Sequence, residues 1–120
     1  MANKVLISHN KNWGLDETKV LFLAQKALRE AEQKETELSL LFVGRKRACD
    51  LNKKYRKMSY VPQVLSFPMK AEKDKDGRVR IGDMVICTEK LKYEKIFLKK
   101  DLYEVLESWL KHGMEGLLKA

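Results

Sequence analysis

The sequence has little of what builds covalent or metal-held scaffolds. Cysteine occurs only as Cys49 and Cys87. Two are too few for a disulfide framework or a CxxC zinc site, and each lies in an apolar pattern, so both are expected as buried, reduced thiols. Histidine also occurs twice, and His9 has no partner at metal-ligand spacing, which makes it a strand-end surface residue. No apolar run approaches the ~20 residues that cross a bilayer. The start, Met1 to Ser8, enters a strand-like pattern directly and lacks a signal peptide's long apolar core. Neither export nor a membrane is indicated, and the thiol usage fits a cytoplasmic location.

What is present is an ordinary apolar fraction of 44% in 120 residues, enough for one domain spanning 1–120 and its core. Charge is the unusual quantity. The formal net charge is +8, and it is concentrated. Between Arg45 and Lys57 stand Arg45, Lys46, Arg47, Lys53, Lys54, Arg56 and Lys57 against the single acid Asp50, a local net of +6. Such a segment favours a polyanion, most simply RNA or DNA, or else forms a solvated helix face.

The elements follow from periodicity. Val5-Leu6-Ile7 is a short buried strand. Asp16 is placed to cap a helix running to about Lys34, with Val20, Leu21, Leu23, Ala24, Ala27, Leu28 and Ala31 as its apolar face, and Trp13 and Leu15 packing ahead of it. Residues 37–43 form a second strand, so the start is a βαβ unit with parallel strands. The basic segment is helical, with Ala48, Leu51, Asn52 and Tyr55 turned inward. Residues 64–68 form a third strand stopped by Pro68, and Asp76-Gly77 is the turn to a fourth over 80–87, antiparallel to the third. Thr88 is expected to cap a helix to about Leu98, with Leu91, Ile96 and Phe97 as its apolar residues.

The last twenty residues carry the widest apolar stripe: Leu102, Val105, Leu106, Trp109, Leu110, Met114, Leu117 and Leu118. Asp101 with Glu104 reads as a capping-box start. The same helix holds His112, Gly113 and Gly116, and each glycine costs roughly 1 kcal/mol in a helix interior. The fold class expected is mixed α/β (α+β): a four-stranded sheet with one antiparallel strand, about four helices, and the last helix central.

Leu38-Ser-Leu-Leu-Phe-Val43, Leu51-Asn52-Lys-Lys-Tyr55-Arg56, Val64-Leu65-Ser66-Phe67-Pro68, Gly82-Asp83-Met-Val-Ile86 and the late His112-Gly113 occur in this order. Together they resemble the YbeY family of rRNA maturation endoribonucleases. The resemblance implies a mixed sheet packed by helices and a zinc site on the last long helix, made by His-Gly-x-x-His and a third histidine six residues on. Two histidines at i and i+4 share one helical face, a third closes the set, and an open position leaves room for a water whose pKa zinc lowers toward ~7. Here His112 and Gly113 match, but Gly116 stands where the second ligand belongs, and the third would fall past the last residue given. Glu115 is the nearest alternative oxygen donor. Gln63 replaces the acid that the family carries just before Val-Leu-Ser-Phe-Pro. Arg56 matches an arginine that the resemblance places near substrate, and a guanidinium suits a phosphate through paired hydrogen bonds.

Ser66 has no histidine or lysine placed by sequence to activate it and reads as a strand residue. Asp83 reads as a backbone-bonding residue or a cation ligand. Three functions follow as expectations. The first is a YbeY-like protein that binds rRNA or ribosomal components through the basic helix, with catalytic roles for His112 and Arg56 resting on resemblance alone and no cofactor held. The second is a metal-dependent, single-strand-specific endoribonuclease whose site is completed unconventionally. The third is a protein-interaction module. With one ligand left for zinc, an inactive or weakly active hydrolase fold is expected.

Overall fold

A computed structural model describes residues 2–119, the side chain of Ala71 excepted. In chain order the elements are β1 (Lys4–Ser8), α1 (Glu17–Glu30), β2 (Thr36–Val43), α2 (Arg45–Arg56), β3 (Val64–Lys73), β4 (Val79–Cys87), α3 (Thr88–Leu98) and α4 (Leu102–Leu118). The sheet order is β1-β2-β4-β3, with β1, β2 and β4 parallel and β3 antiparallel to β4. This is the expected mixed α/β fold.

Leu38, Leu40 and Phe42 of β2 and Met84 and Ile86 of β4 alternate onto one face of the sheet. There they meet Val20, Ala24 and Leu28 of α1 and the stripe of α4 from Val105 to Leu117, with Trp13 and Leu15 closing one end. Helix α4 is central because it packs against α1, α3, β3 and β4. Leu106 and Leu110 are fully buried, and burial of each contributes roughly 1.5–3 kcal/mol. Its start is held by the Asp101 carboxylate, which accepts the Tyr103 N–H at 3.0 Å. Tyr103 in turn accepts the Asp16 N–H through its hydroxyl at 2.9 Å, so the N-termini of α1 and α4 are tied together. Asp16 caps α1 as expected, accepting from Thr18 and Lys19.

Several expectations are corrected. Strand β3 does not stop at Pro68 but continues to Lys73, because β3 is an edge strand, where a missing N–H costs no ladder bond. Helix α1 ends at Glu30 rather than near Lys34, and Leu21 is exposed. Thr88 is the first residue of α3, and the residue in the cap position is Cys87. Ile96 and Phe97 point outward, since they lie five and six residues after the buried Leu91, off its helical face. Leu118 is also exposed, at the last position of α4. Cys49 is only partly buried, whereas Cys87 is buried and burial pushes its thiol pKa up, which keeps it protonated and unreactive.

Candidate nucleic-acid interface

Helix α2 is amphipathic in an extreme way. Ala48 and Asn52 are buried on the sheet, and Leu51 is partly so. Asn52 also donates its side-chain N–H to the Tyr60 carbonyl at 2.9 Å, which anchors the loop leading to β3. All seven predicted cations, Arg45, Lys46, Arg47, Lys53, Lys54, Arg56 and Lys57, are exposed. Among the described residues, no ion pair engages any of them. Unneutralised charge at this density attracts a polyanion. Tyr55 was expected inward but is 55% exposed. It sits in the last turn over the edge strand, where its ring meets Phe67 edge-on at 5.2 Å and lies under Lys54 Nζ. An aromatic ring therefore stands within the basic face.

His112 lies across the sheet from these residues. Ser66 of β3 points to α4 and the adjacent Phe67 points to Tyr55 of α2, so the two helices cover opposite faces. Arg56 and His112 thus stand on helices that cover opposite faces of the sheet. His112 is exposed and lines a cavity of about 370 Å³ with Gln63, Glu94, Leu98, Lys100 and Glu104 among its neighbours. Gln63 donates its side-chain amide to Glu94 at 2.5 Å. Glu94 is a residue that sequence reasoning missed, because nothing in its spacing to Gln63 or His112 signals the contact. Glu115 lies elsewhere, in the groove between α1 and α4 beside Lys111 and Lys119.

Gly113 is expected from the family motif to allow close helix packing, whereas the packing role of Gly116 is one that sequence reading did not supply. A Cβ on Gly113 would lie 2.6 Å from Met84 Sδ, and one on Gly116 would lie 2.9 Å from Ser66 Oγ. Both are therefore close-approach positions of α4 on β4 and β3. Gly116 is not merely the place of an absent histidine. Ser66 turns the contact into a tie by donating its hydroxyl to the Gly113 carbonyl at 2.7 Å. Ser66→Ala is expected to lower stability by about 1 kcal/mol, read as a lower urea midpoint at unchanged m. An unmoved midpoint would mean the bond contributes nothing.

The model of the family described as Endoribonuclease YbeY matches residues 6–118. The chain belongs to the YbeY family. An Endoribonuclease YbeY of Ruthia magnifica is 34% identical over 94 residues, covering 78% of this chain and 64% of that protein. One from Thermodesulfovibrio yellowstonii is 32% identical over 81 residues, 68% of this chain and 50% of that protein. The chain thus spans between half and two thirds of the length of these curated relatives. A solution structure of a Thermotoga maritima protein superposes with a TM-score of 0.60 at 18% identity, over 92% of this chain and 69% of that one, a likeness of fold.

The YbeY family is known for metal-dependent endoribonucleases, which makes the donor set around His112 the decisive test. A catalytic zinc takes three protein ligands. His112 offers one imidazole, the Gln63 amide is neutral and held by Glu94, and Gly116 abuts Ser66. Among the described residues, no group of three or more His, Cys, Asp or Glu is placed to hold a metal ion. These residues do not fit the family's zinc. Nor is any described helix long and apolar enough to cross a membrane.

Proposed function

We propose that this YbeY-family chain acts in rRNA maturation or ribosome assembly by binding RNA through the exposed cations of α2, without metal-dependent hydrolysis at His112. The observation that carries the reading is the basic face itself: six exposed cations on α2 and a seventh, Lys57, at its C-cap, with no ion pair to neutralise them among the described residues. Binding works by neutralising phosphates and releasing their counterions, a term that depends on charge and salt and not on base sequence. Arg56 takes part as one of these phosphate contacts, where its planar donors fit two phosphate oxygens.

The direct test replaces Arg45, Arg47, Lys54 and Arg56 by alanine and measures single-stranded RNA binding across a salt series. Weaker binding with a flatter salt dependence is expected, and an unchanged affinity and slope would remove the reading. A companion measurement addresses catalysis. The purified protein is expected to carry well under one equivalent of zinc, and His112→Ala to leave RNA binding as it was. Stoichiometric zinc, together with RNA cleavage that His112→Ala abolishes, would replace binding by endonucleolytic hydrolysis as the function.

A further inference from the structure

Helix α3 exposes apolar area that core packing does not explain. Tyr93, Ile96 and Phe97 are 64%, 74% and 70% exposed. Tyr93 and Phe97 stand one helical turn apart with their rings nearly parallel, 13° between planes and 6.2 Å between centroids. Residues 90–100 around them hold five lysines and one acid, Glu94. At the start of α3 the Tyr93 ring lines a cavity of about 470 Å³ together with Arg45, Val61, Glu89 and Lys90. The aromatic face thus adjoins Arg45, the first cation of α2.

This composition selects among occupants. A second copy of the chain, meeting this face across a two-fold axis, would set the lysines against an identical set, a like-charge contact that opposes association. Aromatic faces ringed by cations fit a polyanion whose units are themselves planar. Single-stranded RNA is such a polymer: its bases stack on aromatic rings irrespective of identity while cations take its phosphates. A duplex hides those base faces and is not accommodated in this way.

We infer that α3 is a stacking platform on which Tyr93 and Phe97 take unpaired RNA bases, with Arg45 and the neighbouring lysines taking the flanking phosphates. The inference rests on the reading of α2 as an RNA-binding face and adds a second element, α3, whose rings take bases beside the cations that take phosphates.

The test compares binding of the full chain to a short mixed-sequence single-stranded RNA and to an abasic ribose-phosphate chain of equal length. Tyr93→Ala combined with Phe97→Ala is expected to weaken RNA binding at least roughly tenfold, the scale of losing a base–aromatic stack. The salt slope and the binding of the abasic chain should not move. Tyr93→Phe combined with Phe97→Tyr keeps both rings and is expected to bind as the parent does. Equal RNA affinity of the parent and the double-alanine variant would overturn the platform and leave the α2 reading standing, because that reading is scored by the salt slope of its own variant. An equal loss on the abasic chain would also overturn it. So would a dimer in solution that the double-alanine substitution dissociates, since the face would then be a contact between copies.

Discussion

Gly82→Ala is expected to destabilise the fold by roughly 2–6 kcal/mol. Gly82 has φ +139°, a conformation that L side chains rarely adopt, and holding one there costs about 1–3 kcal/mol. The added Cβ would also overlap the Phe67 carbonyl oxygen on β3 and lie 2.9 Å from Leu117 Cδ2 on α4. Overpacking of this kind costs a further ~1–3 kcal/mol. The clash with the Phe67 carbonyl is not relieved by turning a rotamer, because that partner is backbone. Gly82 pairs with Pro68 just where the β3–β4 register becomes irregular, so relief requires the edge strand to move away from the sheet. Against a typical stability of about 5–15 kcal/mol, chemical denaturation should show a much lower midpoint. A variant within about 1 kcal/mol of the parent would mean that the backbone at position 82 takes a different path.

The second large effect is on binding. Removing Arg45, Arg47, Lys54 and Arg56 withdraws up to four phosphate contacts, and each contributes about −0.7 to the slope of log affinity against log salt for a single strand. The slope should therefore flatten by up to about 2.8, and binding at low salt should fall by roughly tenfold to a hundredfold. A control with the same charge loss elsewhere, at Lys4, Lys26, Arg29 and Lys34, separates a local interface from net charge. Lys26 is bound to Glu107 at 2.6 Å and Lys4 to Asp76 at 3.4 Å, so these positions are already partly neutralised. The control is expected to retain most of the affinity. Equal losses in the two variants would mean that overall charge, and not the α2 face, governs association.

Most of the fold was legible because its signals are local. Alternation in β2, the βαβ order, the Asp16 and Asp101 caps and the 3.6-residue stripe of α4 each depend on neighbours a few residues apart. The basic face was legible for the same reason, since α2 is helical whatever lies beneath it. Misreadings arose where the answer lay in another element. Tyr55 and Phe97 look like core residues by composition, and only the edge of the sheet and the outer side of α3 leave them exposed. Glu94 entered the His112 cavity through a contact with Gln63 that spans 31 residues, which no periodicity announces.

The glycines show the division most clearly. That His112 lacks a second histidine one turn later is a matter of residue identity, and it was decided by the sequence alone, as were the concentration of positive charge and the family resemblance. That Met84 is what Gly113 approaches, and that Gly116 approaches Ser66, was decided only by the tertiary structure. The physical reason is that a side chain's absence is written in the chain, whereas the space it would have to fill belongs to residues brought there by folding.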